Sequence, residues 1–236
     1  HFHNDRFLKH IVILRPERAT NAVYAIVKNY TVAAAKGLFT RTDAETIWAE
    51  ANYANLGDEL LQLMENFNLC YPIPGLPDAY IAPQLLDFEP PSYDWANTNT
   101  LTLRYEYEFM PKGILTQLIV RLYRWIEQQQ IVWRSGVVLT NGRARAEVIE
   151  TYRPYKGEIH LRVFGVHNKE LLSIIANEID EINANFEKIK VAKKIPCNCE
   201  ECLEDKEPHY FRLQPLARFL AQGRTEVACE KSALAV

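Results

Sequence analysis

The chain has 236 residues, with 27 Lys plus Arg against 30 Asp plus Glu, a net charge of −3 and a pI near 6.1. Residues of the AVILMFWYC set make up 48 % and charged residues 24 %, the balance of a globular chain of one large or two small domains. This composition excludes a chain dominated by disorder and argues against a generic nucleic-acid binder, which needs a basic footprint. No apolar run approaches the ~20 residues of a membrane helix, so no membrane insertion is expected. His1-Phe2-His3-Asn4-Asp5 has neither the charged start nor the apolar core of a signal peptide, and the absent initiator Met points to a piece of a longer protein. Only 9 glycines make Gly-rich phosphate loops improbable.

Phe7–Leu14 reads as an apolar β-rich run stopped by Pro16. Residues 17–29 carry a helical stripe of Ala22, Val23, Ile26 and Val27. Residues 37–40 read as a break, after which Thr42 and Glu45 predict a capping box for a helix through Trp48. Leu56, Leu60, Leu63, Met64 and Phe67 mark another helix, followed by two short β pieces around Pro72–Asp78. Helix, helix, β-hairpin is the order of a winged helix. Residues 87–99, with Pro90, Pro91, Asn97 and Asn99, read as a linker.

Leu101, Leu103, Tyr105, Tyr107 and Phe109 alternate with polar residues, which predicts a half-buried strand. A helical stripe runs from Ile114 to Ile126, and strands over 131–140 and 143–152 are joined at Asn141-Gly142, a type I′ turn signal. A strand over 157–165 and a helix over 169–189, with Asn168 as its cap, complete a β-α-β-β-β-α pattern. The expected class is α+β. An N-terminal α/β subdomain with a winged-helix-like part spans residues 1–94. A C-terminal antiparallel sheet with helices on one face spans 95–236.

Cys70 lies in an apolar stretch and reads as a small buried hydrophobe. Cys197, Cys199 and Cys202, with Cys229 further on, have the number and softness of ligands for a structural zinc, with free thiols as the alternative. His209 could replace one of them. No phosphate loop, nucleophile elbow or H-E-x-x-H motif is present in the sequence. His1, His3 and Asp5 read as a solvated end, Glu106 and Glu108 as members of a salt-bridged face with Arg104 and Arg121 nearby, and Arg143 and Arg145 as cross-strand partners of acids. Trp133 and Arg134, or else the Asn141-Gly142 hairpin, are candidates for a dimer contact, the first two because Trp and Arg are enriched at hot spots. From the residues alone, the chain is a non-catalytic interaction module that requires no cofactor. A zinc-containing adaptor and a winged-helix nucleic-acid-binding module are the alternatives.

Several phrases in order carry a resemblance. They are Ile13-Leu14-Arg15-Pro16-Glu17-Arg18-Ala19-Thr20-Asn21-Ala22-Val23-Tyr24, Leu61–Tyr71, Tyr80-Ile81-Ala82-Pro83-Gln84-Leu85-Leu86, Phe109–Leu115 with Ile119-Val120-Arg121, and Trp133–Leu139. Over nearly its whole length the chain resembles the COR domain of Roco proteins, the segment that follows a Ras-like Roc GTPase domain. Cys197–Cys202 resembles the C-terminal part of bacterial-type COR domains. Arg18 departs from the pattern, where the family often has Trp. The resemblance also implies an earlier helical portion, so that either the first helices are missing from the N-terminal half or its boundary lies elsewhere. The resemblance implies two subdomains, packing on the adjacent Roc G domain, a homodimer through the C-terminal subdomain, coupling of dimer geometry to the GTP cycle, and a cytoplasmic parent GTPase with leucine-rich repeats. It also implies that Tyr105 and Tyr107, on the strand before Met110-Pro111-Lys112-Gly113, lie near the Roc contact.

Overall fold

The computed structural model describes residues 16–53, 56–95, 100–153, 156–203, 205 and 207–236. The strand expected over Phe7–Leu14 and the His1, His3 and Asp5 group lie outside these residues. The chain forms two compact units. The first holds the residues up to Tyr93 together with Gly113–Arg134, and the second holds Asp94–Lys112 with Ser135–Val236.

In the first unit, α1 (Pro16–Lys28) and α2 (Tyr30–Ala34) lead into β1 (Leu38–Thr40), α3 (Arg41–Glu50), α4 (Gly57–Asn66), β2 (Tyr71–Pro72) and β3 (Ala79–Ile81). The three strands form an antiparallel sheet in the order β1-β3-β2. This is the winged-helix arrangement, and residues 38–40, which the sequence predicts as a break, form its first strand. Gly37 makes that strand possible. Its φ of +86° turns the chain out of α2, and a Cβ there would collide with the carbonyl of Ala82. The capping box sits two residues earlier than the spacing predicts: Thr40 caps α3 and exchanges hydrogen bonds with Asp43. Helix α3 is pinned to α1 by Trp48, whose buried indole N–H donates to the Ala22 carbonyl at 2.9 Å. Ala22, Ile26, Phe39, Trp48, Leu60, Leu61, Leu63, Met64 and Cys70 form the core, so Cys70 is the buried hydrophobe expected. The unit also contains α5 (Ile114–Arg121) and β5 (Val132–Trp133).

In the second unit, β4 (Leu101–Tyr107), β6 (Gly136–Thr140), β7 (Ala144–Arg153), β8 (Lys156–Gly165), β9 (Val191–Pro196) and β10 (Tyr210–Arg212) run in the order β10-β9-β4-β8-β7-β6. All of these pairings are antiparallel. The β6–β7 turn centres on Gly142 and Arg143, because Asn141 N–H bonds the Ala144 carbonyl at 3.3 Å and only Gly142 takes a positive φ. It is therefore not the type I′ turn that Asn-Gly suggests, and Asn141 Oδ1 instead accepts from the N–H groups of Arg143 and Ala144. Helix α6 (Asn168–Ala184) packs on β4, β7 and β8. It ends earlier than expected and starts after His167, in the left-handed region at φ 61°, rather than with Asn168 as cap. Short α7 (Glu200–Leu203) and α8 (Leu213–Ala221) follow β9 and β10. No helix among the described residues is long and apolar enough to cross a membrane.

Register places Leu103, Tyr105, Leu161, Ile159, Val163, Ala146 and Val148 on the α6 face of the sheet. Gly157 sits opposite Tyr107 and Tyr152 with no room for a side chain, since a Cβ would overlap the buried side chain of Met110 at its own Cβ. Gly157→Ala is expected to destabilise the chain by about 1–3 kcal/mol in chemical denaturation, the usual cost of overpacking.

Candidate metal centre and interface residues

Cys197 leaves the end of β9, Cys199 precedes α7, and Cys202 lies in its single turn, where Cys202 N–H and Leu203 N–H both bond the Cys199 carbonyl at 3.0 Å. Cys197 N–H bonds the His209 carbonyl at 2.7 Å, which extends the β9–β10 pairing to the knuckle. Cys229 arrives from a terminal hairpin held by the Ala228–Ala235 bridge and by Cys229 N–H to Leu234 O at 2.8 Å. The four Sγ atoms all lie within 4.8 Å of one another, and Cys202 and Cys229 are 3.7 Å apart. A regular tetrahedron with metal–sulfur bonds of ~2.3 Å has edges of roughly 3.8 Å. Cys199 N–H points at Cys197 Sγ at 3.5 Å and His209 N–H at Cys202 Sγ at 3.4 Å. The Ser232 hydroxyl lies 3.4 Å from Cys199 Sγ. The thiols are unequal: burial pushes Cys197 up to about 12, whereas hydrogen bonds from the Ser232 hydroxyl and N–H hold Cys229 down to about 6. His209 is outside the sulfur group. Its ring meets Phe211 edge-on at 4.6 Å, and its Nδ1 lies 3.9 Å from Glu230.

Tyr105 and Tyr107 face α6 and are fully buried. The Tyr105 hydroxyl donates to the Ala176 carbonyl at 3.1 Å and lies 3.3 Å from Asp180 Oδ1. Tyr107 and the Asn183 amide exchange hydrogen bonds at 3.2–3.3 Å. Burial raises both phenols well above their ordinary range, with the Asp180 charge adding to the effect at Tyr105. Both rings are thus occupied inside the second unit. Trp133 is also buried, tilted against Tyr93 at 5.8 Å. Arg134 is half-buried. Its Nε donates to the Leu86 carbonyl at 3.1 Å, and its guanidinium lies 3.7 Å over the ring of exposed Phe88.

The opposite face of the sheet is a ladder of charge, which sequence reasoning expected for Glu106 but not for the buried Glu147 and Glu158. Glu106 pairs with Lys194 and Lys156, and Glu158 pairs with Arg104 and with His160 at 2.9 Å. Glu147 receives Arg162 Nε at 2.7 Å, and the same guanidinium stacks 5.0 Å from Trp95. Arg145 stacks on Trp95 and Phe164. Burial opposes the charge on Glu158, but Arg104 and His160 outweigh it and hold the carboxyl below its usual range. Lys194 holds Glu106 low in the same way.

Two family descriptions match the chain in succession. Residues 1–86 match "C-terminal of Roc, COR-A domain" and residues 98–236 match "C-terminal of Roc, COR-B domain". Among curated proteins of Dictyostelium discoideum, "Cyclic GMP-binding protein C" is 21 % identical over 260 residues, covering 97 % of this chain and 10 % of that protein. "Probable serine/threonine-protein kinase pats1" is 26 % identical over 155 residues, covering 59 % of this chain and 5 % of that protein. "Probable serine/threonine-protein kinase roco7" is 29 % identical over 143 residues, covering 58 % and 5 %. The chain therefore spans a tenth or less of the length of these relatives.

The buried tyrosines and the carboxylate ladder each have a measurable consequence. Tyr105→Ala removes a buried ring, so a loss of about 3–5 kcal/mol is expected in denaturant titration, while Tyr107→Phe loses about 1–2 kcal/mol by leaving the Asn183 amide unpaired. The depressed carboxyls stabilise the fold above their unfolded values near ~4.3, and that stability is lost as pH falls through their folded values. Glu158→Gln should cost about 3 kcal/mol at pH 7 by stranding Arg104. It should also flatten the fall in stability as pH drops below about 5, read by thermal unfolding at stepped pH.

Proposed function

Because the chain belongs to the C-terminal-of-Roc (COR) family, carrying a COR-A and a COR-B domain in succession, we propose that it is a non-catalytic regulatory module that packs on an adjacent Roc GTPase domain and couples homodimer geometry to the GTP cycle. The observation that supports this reading is the order of the two family matches, the first on the winged-helix-like part and the second on a stretch that includes the sheet and helix of the second unit. COR domains lie next to Roc domains in Roco proteins, so the partner of first resort is the G domain in the same parent. On this reading the GTPase chemistry belongs to that neighbour, and the parent works in the cytoplasm.

Homodimerisation is assigned to the C-terminal subdomain. Its two candidates, Trp133 and Arg134, belong by sequence to residues 95–236 but pack in the first compact unit. Arg134 is the reachable one: its guanidinium and the exposed Phe88 ring of the same unit form a flat, amphipathic pair of the kind that anchors hot spots. Tyr105 and Tyr107 contribute to the Roc contact by holding α6 on β4, so that a shift of the helix is transmitted to the sheet. Nucleic-acid binding is disfavoured by charge. Helix α4, the third of the longer helices in the winged-helix unit, carries Asp58, Glu59 and Glu65 and no Lys or Arg, which would repel phosphate.

Light scattering over a concentration series tests the dimer. A mass rising toward twice 27.3 kDa is expected, with Arg134→Ala weakening association about tenfold, or ~1.4 kcal/mol. A mass of 27.3 kDa throughout, unchanged when the parent's Roc domain is added, would remove both self-association and Roc packing from the reading.

A further inference from the structure

Residues 197–236 include β10, α7, α8 and a terminal hairpin, yet the only buried residues among those described there are Cys197, Cys199, Cys202 and Cys229. No residue of α8 is buried. The four sulfurs form a cluster of their own, against which, of the partly buried hydrophobic residues among those described, only Phe211 and Val236 pack. An apolar core this small cannot offset the conformational entropy of ordering some forty residues, at about 1–2 kcal/mol each for the backbone alone. Segments of this size that hold a fixed shape use disulfides or a structural metal. All four cysteines are free thiols.

We propose that Cys197, Cys199, Cys202 and Cys229 bind one zinc ion, and that this closed four-thiolate centre staples the C-terminal segment to the edge of the sheet. Four convergent soft donors with a near-tetrahedral sulfur edge select zinc over hard cations, and with all four positions filled by protein the centre is structural. The four sulfurs bind as thiolates, any thiol proton passing to solvent, and each donates a lone pair to the metal, which leaves a centre of net charge −2. The surroundings suit that charge. The N–H groups of Cys199 and His209 and the Ser232 hydroxyl point at sulfur.

The centre acts on the sheet through β10. The Cys197–His209 hydrogen bond continues the β9–β10 ladder, and Tyr210 on β10 lies 4.6 Å under the guanidinium of Arg104, the partner of buried Glu158. Zinc thereby fixes the cover over an ion pair at the centre of the sheet.

The test uses the whole chain, purified under reducing conditions. Elemental analysis is expected to find about one zinc per chain, and the stripped chain should take up one Co²⁺ with the intense visible bands of a tetrahedral thiolate site. Removing the metal should speed amide exchange in residues 197–236 by at least about tenfold while β7 and β8 stay protected, which separates a local staple from global unfolding. Cys199→Ser with Cys229→Ser should abolish uptake, read against the intact circular dichroism of the remaining fold. Absence of both zinc and Co²⁺ uptake, bound iron in place of zinc, metal retained by the double variant, or two disulfides holding the segment would each overturn the proposal. None of these outcomes bears on the Roc-coupling reading, whose test is association.

Discussion

Strand β4 is bonded along both edges, to β8 on one side and to β9 on the other, and the second unit depends on that double pairing. Without it, the β6–β7–β8 meander and the β9–β10 hairpin would be separate pieces. The alternation of β4 serves both faces at once. Leu103, Tyr105 and Tyr107 supply the buried floor for α6, while Arg104 and Glu106 organise the charged face. The tyrosine hydroxyls are what make the floor specific. A purely apolar strand would leave α6 free to slide, whereas Tyr105 to Ala176 and Tyr107 to Asn183 fix its height.

The strongest periodicities were legible. The α6 stripe, the β4 alternation and the order of the winged helix follow from apolar spacing alone, because each element buries one face. What escaped is instructive. β9 reads Val-Ala-Lys-Lys-Ile-Pro, and two adjacent lysines look like solvent. They point to opposite faces, where Lys193 meets Asp180 of α6 and Lys194 meets Glu106 of β4. Partners from distant elements turn a polar run into a strand, and no local pattern encodes that. β1 was hidden for a similar reason, since three residues after a glycine are a strand only because β3 is there to pair with them.

The candidate site divides along the same line. The C-x-C-x2-C spacing shows three cysteines close in sequence, and their convergence could be read from it. That Cys229 joins them depends on β10 and α8 bringing the chain back. Burial of the two tyrosines follows from alternation, but whether they meet a helix of their own chain or another molecule is decided by which element lands on the sheet. The charged face is the least legible part: Glu147 and Glu158 are buried carboxylates, and only the register against Arg162 and Arg104 makes that burial tolerable.

The position of β4 also bears on the order in which the molecule can be built. Leu101 pairs with Val163 and Tyr107 with Gly157, and the other edge waits for Val191–Lys194. On a ribosome, β4 emerges with both edges unpaired and stays so until about fifty further residues have been made. Loop closure over such spans slows folding, and an unpaired strand rich in Leu and Tyr is a template for unwanted pairing. Alternate charges along it, Arg104 and Glu106, give the nascent strand a protection that the finished sheet then converts into cross-strand ion pairs.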